Sequence, residues 1–170
     1  ERVDPRDGPR TAQKGDELMR YVVASDHAGF PLKQPIVAAL RELGHEAVDL
    51  GVEPGAVPSD YPDQARLVGE AILRHEAERG VIICGSGVGA CAAVNKVPGV
   101  RAAICHDTYA ARQGVEDDAM NVLCLGGRVI GTELAAELVH TFLNAEFKAL
   151  DRYKRRLNTV RLIDQEPTAS

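Results

Sequence analysis

Short apolar runs alternate along the chain with segments whose apolar residues recur at helical spacing. The runs lie at 20–25, 46–51, 81–84, 101–105 and 121–125, and most are apolar at successive positions, which is typical of strands buried on both faces. Helical spacing is clear in Leu32, Ile36, Val37 and Leu40, and Gly44 follows at a position suited to a left-handed helix cap. Further helices are predicted at about 65–73, 88–96, 108–114 and 132–147, and around 152–157.

This alternation predicts an α/β fold, a Rossmann-like three-layer αβα sandwich with a five-stranded parallel sheet and right-handed crossovers. The chain has 170 residues, of which 45% are apolar, enough for one domain with its own core. Residues 1–19 are polar and contain Pro and Gly without an apolar period, so we expect a flexible N-terminal tail. The domain is predicted over 20–163, with a C-terminal tail at 164–170.

The composition excludes several classes of partner. The formal net charge is −5, with acidic and basic residues interspersed, so no broad basic face for nucleic acid is expected. No apolar run reaches the roughly 20 residues that span a bilayer, and the N-terminus lacks the apolar core of a secretion signal. We therefore expect a cytoplasmic protein with no membrane partner. Neither the five histidines nor the four cysteines have metal-ligand spacing, so reduced thiols and no metal are expected.

Polar residues follow three of the predicted strands. The loops begin at Asp26-His27, at Cys84-Gly85-Ser86-Gly87 and at Cys105-His106-Asp107. In an open parallel sheet, ligands bind at the carboxyl ends of strands, near the point where strand order reverses. These loops are therefore expected to converge on one site.

The segment VIICGSGVGA places a cysteine where a strand gives way to a glycine-rich loop. Gly85, Gly87 and Gly89 permit positive backbone angles, and the helix that follows directs free amides and a partial positive charge at the loop. The loop suits a phosphate or an oxyanion. Cys84 is either a small buried hydrophobe or a thiolate base favoured by that field, whereas Cys91, Cys105 and Cys124 are predicted to be core residues.

Residues 20–163 resemble the ribose-5-phosphate isomerase B family, which includes the LacA and LacB types of hexose-phosphate isomerase. The motifs that carry the resemblance are SDHAGFPLK at 25–33, SDYPD at 59–63, ICGSGVGACAAVNKVPGVRAA at 83–103, NVLCLGGRVIG at 121–131 and RYKRR at 152–156. The family interconverts a phosphorylated aldose and its ketose through a cis-enediolate. The resemblance implies no metal or organic cofactor and a small sugar phosphate as the partner.

The resemblance also implies roles for particular residues. Cys84 matches the base, and Ser86 matches a hydroxyl that helps to position the proton and the sugar oxygens. The substrate-binding set that it implies is Asp26, His27, Tyr61, Gly85, Gly87, Val88, Gly89, Asp118, Arg128, Arg152 and Arg156, with the arginines as phosphate anchor. From the residues alone, Asp26 is as well explained by a helix cap and the arginines by a solvated basic stripe. A homodimer with shared active sites is implied, with residues such as Arg128 coming from the neighbouring subunit and a tetramer as the alternative.

One position departs from the family. Relatives commonly have a histidine, taken to open the furanose ring, where counting back from Asn121 gives Asp117 here. An ionised carboxylate accepts a proton but does not donate one at neutral pH unless its pKa is raised. Three accounts of ring opening are possible. Asp117 acts as a base, His106 takes the place of the missing histidine, or the enzyme uses substrate whose ring has already opened. Each of these two residues is equally well explained by a structural role instead of a catalytic one. Asp117 could cap a turn, and His106 could be an ordinary residue at the end of a strand.

The sequence therefore predicts an isomerase of ribose 5-phosphate and ribulose 5-phosphate, with Cys84 as base. One alternative is a hexose 6-phosphate isomerase, acting on allose or galactose 6-phosphate by the same mechanism. The other is a sugar-phosphate-binding homologue in which turnover is impaired because Asp117 replaces the histidine.

Overall fold

The computed structural model describes residues 19–51 and 59–164. Within them lies one five-stranded sheet, in the order β2-β1-β3-β5-β4, in which every neighbouring pair is parallel. The strands are β1 (Arg20–Ser25), β2 (Glu46–Gly51), β3 (Arg79–Cys84), β4 (Ala102–Ile104) and β5 (Val122–Gly126). The helices are α1 (Phe30–Glu42), α2 (Tyr61–Leu73), α3 (Val88–Val94), α4 (Thr108–Asp118), α5 (Thr132–Asn144) and α6 (Asp151–Ile163). The predicted parallel α/β fold is confirmed.

Successive strand residues point to opposite faces, and each face has its own core. On one face, Val81 and Ile83 of β3 pack with residues of α1, α4 and α5. On the other, Ile82 and Cys84 pack with residues of α2 and α3. Because both faces are covered, the strands are apolar at most positions, which is the pattern seen in the sequence.

The sequence predicted one helix end correctly and placed another too early. Gly44 has φ +83°, and the amides of Gly44 and His45 donate to the carbonyls of Arg41 and Leu40, so the predicted glycine cap of α1 is confirmed. Helix α4, predicted to end near Gly114, continues to Asp118. Gly114 lies inside it, where an added Cβ would come within 3.2 Å of the Met120 sulfur.

Two other helices are shorter than predicted. They were expected to run to about Lys96 and Phe147, but α3 ends at Val94 and α5 ends at Asn144. Beyond α5, Lys148 forms an ion pair of 2.8 Å with Glu116 of α4, and its amide donates to the Glu116 carbonyl. These contacts dock the connection from α5 to α6 onto α4.

The terminal helix α6 is held by few of its residues. Only Tyr153 and Leu157 of α6 are buried, whereas Val160, Leu162 and Ile163 are exposed large apolar side chains. Met19 packs against the core next to β1. The rest of the predicted N-terminal tail, the segment 52–58 and the C-terminal tail beyond Asp164 lie outside the described residues.

No helix among residues 19–51 and 59–164 is both long and apolar enough to cross a bilayer. In the same residues, no cluster of three or more His, Cys, Asp or Glu side chains has an arrangement that could hold a metal ion.

Candidate active site

The order of strands reverses at β1. The chain moves from β1 to β2 on one side and then to β3 on the other, so the loops that follow β1 and β3 flank a topological switch point. The loop after β5 is next to them, because Cys84 of β3 lies opposite Gly126 of β5. Three loops, which carry most of the predicted site residues, therefore meet at one end of the sheet.

Glycines allow these loops to touch backbone to backbone. An added Cβ on Gly29 would collide with the carbonyl oxygen of Ile83, and one on Gly127 would lie 2.7 Å from the carbonyl oxygen of Ala28. The loops are also bonded to each other, since the amides of Gly127 and Arg128 donate to the carbonyls of Cys84 and Gly85 at 2.8 and 3.0 Å. The cysteine loop is therefore a fixed part of the scaffold.

Cys84 is 4% exposed at the carboxyl end of β3, and its sulfur is turned toward the loop that follows. The amide of Gly87 donates to Cys84 Sγ at 3.1 Å. Gly87 can present that amide because it has φ +83°, a conformation that other residues seldom adopt. This bond holds the Cys84 sulfur against the glycine loop.

Not every amide of the loop is directed at a ligand. The Gly87 amide is bonded to Cys84, and the Val88 amide donates to Ser86 Oγ at 3.2 Å. Ser86 is exposed, so its hydroxyl can still donate its own proton outward. Donors for an oxyanion are therefore expected only among the other amides of the loop, because the Gly87 amide is bonded to Cys84.

Arg128 lies beside the cysteine loop of its own chain. Its side chain passes Gly85, where an added Cβ would be 3.7 Å from Arg128 Cδ and 3.8 Å from Nη1. The bond from the Arg128 amide to the Gly85 carbonyl ties the two loops together. That Arg128 serves the active site of a neighbouring subunit stays a prediction.

Asp26 and His27 occupy the loop after β1. Asp26 is 7% exposed, and its Oδ1 accepts hydrogen bonds from the amides of Ala28 and Gly29, both at 2.9 Å. Both bonds use Oδ1, so this turn leaves Oδ2 unused. His27 is exposed, and its Nδ1 lies 3.3 Å from the carbonyl oxygen of Ser59, which makes Nδ1 the protonated nitrogen of the neutral ring.

Tyr61, the first residue of α2, covers the glycine loop. Its ring lies against Gly89, where an added Cβ would be within 2.9 Å of three ring atoms, and the side chain is still 42% exposed. Only glycine lets the ring come so close. The structure therefore brings Tyr61 to the same place as Cys84, Ser86, Asp26 and His27.

The side chain of His106 is hydrogen-bonded to the backbone. The amide of Gly126 donates to His106 Nε2 at 3.0 Å, so the neutral ring carries its proton on Nδ1. Protonation of Nε2 would break this bond. The contact fastens the loop after β4 to the end of β5 and favours the structural reading of His106 over its use as a substitute acid.

The other predicted residues form a second group on α4 and α6, which we call the α4–α6 cluster (Asp117, Asp118, Arg152, Tyr153 and Arg156). The guanidinium groups of Arg152 and Arg156 lie 4.7 and 5.9 Å from the centre of the buried Tyr153 ring, and Arg152 Nη2 donates to Tyr153 Oη at 2.9 Å. Sequence reasoning missed Tyr153, although it stands inside the RYKRR motif. Its ring sets the positions of both arginines.

The two carboxylates of this cluster differ in environment. Asp117 Oδ2 accepts a hydrogen bond from Gln113 Nε2 at 3.0 Å. Desolvation and the charge of Asp117 raise the pKa of Asp118, and Arg156 opposes that rise. Asp118 therefore keeps a proton to a higher pH than an ordinary aspartate does.

A thiol and a glycine loop at the switch point of an open parallel sheet define an α/β enzyme with a site for a small anionic substrate. The family model described as Ribose/Galactose Isomerase matches residues 21–160. Ribose-5-phosphate isomerase B of Escherichia coli is 39% identical over 148 residues, which are 87% of this chain and 98% of the relative. D-erythrulose-4-phosphate isomerase of Pectobacterium atrosepticum is 38% identical over 131 residues, 77% of this chain and 86% of the relative.

A solved structure extends the comparison. Ribose-5-phosphate isomerase B from Mycoplasma genitalium, with ribulose-5-phosphate bound, has a TM-score of 0.82 and 36% identity, covering 87% of this chain and 97% of that one. The chain belongs to the ribose-5-phosphate isomerase B family, and it is a sugar-phosphate isomerase.

Proposed function

We propose that the protein interconverts ribose 5-phosphate and ribulose 5-phosphate, with Cys84 as the base. The observation that carries the proposal is the hydrogen bond of 3.1 Å from the Gly87 amide to Cys84 Sγ at the carboxyl end of β3. It fixes the sulfur at the point where three site loops meet. The relatives named ribose-5-phosphate isomerase B support the choice of a five-carbon sugar.

The reaction needs one proton to move between two carbons. The Cys84 thiolate takes the proton from C2 of the open-chain aldose, and the electron pair of the C–H bond forms the C1–C2 double bond. The negative charge goes to O1. Amides of the glycine loop other than that of Gly87 stabilise this charge as it develops. A proton passes from O2 to O1 with the help of Ser86, and the thiol returns its proton to C1 to give the ketose.

We further propose that two copies of the chain share each active site. The Cys84 loop and the α4–α6 cluster are held by separate sets of contacts: the loop by the ends of β1 and β5, the cluster by Tyr153 and Gln113. Arg152 and Arg156 are exposed and have a free face for a phosphate dianion. In a dimer, the α4–α6 cluster of one subunit would complete the active site formed by the Cys84 loop of the other.

Mixing two inactive variants tests this arrangement. Cys84→Ala removes the base and Arg156→Ala removes a phosphate anchor, so each homodimer should have little activity. If the sites are shared, random reassociation should restore about a quarter of wild-type activity, because half the dimers are mixed and each has one intact site. The measurement is isomerase activity after mixing under conditions that exchange subunits. Activity that stays at the sum of the two parents contradicts a shared site.

A second candidate substrate is a four-carbon sugar 4-phosphate, such as D-erythrose 4-phosphate and its ketose. Its C4 oxygen is esterified, so it cannot close a furanose ring and needs no group to open one. Asp117 stands at the position that the family resemblance assigns to the ring-opening histidine, and His106 Nε2 is already bonded to Gly126. The similarity to D-erythrulose-4-phosphate isomerase supports the same choice.

Comparing the two sugars with one variant separates these candidates. For the pentose enzyme, we expect ribose 5-phosphate to give the higher kcat/KM. For the tetrose enzyme, erythrose 4-phosphate should be preferred, and Asp117→His should raise kcat about 10-fold or more with ribose 5-phosphate only, since only that sugar has a ring to open. The measurement is initial rate with both sugars on both proteins. An equal effect of Asp117→His on the two sugars contradicts ring opening as the reason for the preference.

A further inference from the structure

Strand β4 ends earlier than the strand beside it. It pairs with β5 only as far as Ile104, which lies opposite Cys124, whereas β5 continues to the buried Gly126. The Gly126 amide donates to Nε2 of His106, in the loop after β4, at 3.0 Å. The imidazole therefore stands where a longer β4 would have supplied a backbone carbonyl, and it satisfies a buried donor that would be costly to leave unpaired.

The chain on either side of His106 is fixed in place. Cys105, which precedes it, is buried and packs in the core that includes residues of α4 and α5. Asp107, which follows it, is the N-cap of α4, and its Oδ1 accepts a hydrogen bond from the amide of Ala110 at 2.7 Å. The imidazole is therefore presented to β5 from a rigid position, between a buried residue and a capped helix.

The peptide that His106 holds packs against the Cys84 loop on its other side. A Cβ added to Gly126 would lie 2.8 Å from the carbonyl carbon and the carbonyl oxygen of Ser86. A Cβ added to Gly87 would lie 3.4 Å from the Gly126 nitrogen. The Gly87 amide in turn donates to Cys84 Sγ at 3.1 Å. A continuous series of contacts therefore leads from the imidazole through the end of β5 to the proposed base.

We propose that His106 is a positioning residue of the isomerase reaction. By accepting a hydrogen bond from the Gly126 amide, it holds the end of β5 against the Cys84 loop, and this fixes the base relative to the carbon from which it takes the proton. The inference rests on the proposed function, and it gives His106 a different part from that of an acid that opens the sugar ring. Because a displacement of about 1 Å can lower a rate about 100-fold, loss of this bond should be measurable in turnover.

Two polar substitutions of His106 differ in whether they can reach Gly126. The carbonyl oxygen of glutamine lies as many bonds from Cβ as Nε2 of histidine does, so His106→Gln can still accept from the Gly126 amide. The oxygen of asparagine is one bond closer to Cβ, so His106→Asn falls short of it. We expect His106→Asn to lower kcat about 10- to 100-fold with little change in KM, because the phosphate anchor on α6 is untouched, and His106→Gln to keep about a third or more of wild-type kcat.

Ribulose 5-phosphate separates positioning from ring opening. Its O5 is esterified, so it cannot close a furanose ring, and exchange of its C1 proton with deuterated solvent needs the base but no ring-opening group. His106→Asn should slow this exchange by the same factor as it lowers kcat with ribose 5-phosphate, and His106→Gln should restore both. If His106 were only the acid that opens the ring, the exchange would be unchanged in both variants, and glutamine would not restore turnover of ribose 5-phosphate.

Amide hydrogen exchange, followed by NMR without substrate, tests the contact itself. The Gly126 amide should exchange about 10-fold faster or more in His106→Asn than in the wild type, and it should stay protected in His106→Gln. His75→Asn is the matched control. His75 is exposed and lies before the amino end of β3, so the same substitution there should change neither the exchange of Gly126 nor the turnover.

Other results decide against positioning. A Gly126 amide that stays protected in His106→Asn shows that the bond is not needed, and wild-type turnover with an unprotected amide shows that the Cys84 loop does not depend on it. Loss of turnover in His106→Gln with a protected amide shows that the imidazole itself takes part in the chemistry, and this result is decisive even if His106→Asn does not fold. A wild type that turns over neither phosphate, with Gly126 exchanging as expected, contradicts the proposed function instead.

Discussion

Replacing Cys84 by alanine should lower kcat by about 10³-fold, within the range typical of removing a general base. The sulfur is the group we assign to the C2 proton, and the Gly87 amide bonded to it at 3.1 Å would lose its acceptor. Exchange of the C2 proton with deuterated solvent, followed by NMR, should fall by the same factor. Binding should persist, because the phosphate and hydroxyl contacts remain, and substrate should still raise the melting temperature.

Two further variants make the result specific to this thiol. Cys84→Ser keeps a side chain of similar size, and its hydroxyl is too weak an acid to supply an anion, so it should be as inactive as Cys84→Ala. Cys105→Ala is the control, because burial raises the pKa of Cys105 to about 11 and keeps it a thiol. If Cys84→Ala kept a tenth or more of wild-type turnover, the base would have to be another group.

Replacing Arg79 by methionine should cost about 3–5 kcal/mol of stability, the scale of leaving several buried carbonyl groups without their hydrogen-bond donor. Arg79 is 6% exposed, and its guanidinium donates to the carbonyls of Phe142, Leu143 and Ala145 at the end of α5. Its charge also lies 5.2 Å from the centre of the Phe142 ring. Burial lowers the pKa of Arg79, and the charges of Tyr21 and Glu146 oppose this.

Methionine fills most of the space but leaves those carbonyls buried without donors. Thermal unfolding should therefore begin about 10 °C lower, at the few degrees per kcal/mol expected for a domain of this size. Arg74→Met is the matched control, since Arg74 has a 62% exposed side chain paired with Glu70 at 3.2 Å, and its loss should cost at most about 0.5 kcal/mol. Equal shifts in the two variants would mean that the α5 carbonyls do not depend on Arg79.

Local patterns predicted the helices and strands better than their ends. The strands could be predicted because a sheet covered on both faces leaves few polar positions inside it. The end of α4 could not be predicted from the sequence, because Gly114 has a low helix propensity. It lies inside the helix where Met120 packs against it. That extension places Asp117 and Asp118 on the last turn of a helix, opposite the arginines of α6.

By itself, the sequence determined the alternation of strands and helices and the glycine loop that carries Cys84. It could do so because hydrophobic period and glycine position are local properties of the chain. The tertiary structure alone decided that Gly87 donates to Cys84, that His106 is bonded to Gly126 and that Arg79 holds the end of α5. These contacts join residues from different elements or depend on a backbone angle, and neither is encoded in any short stretch of sequence.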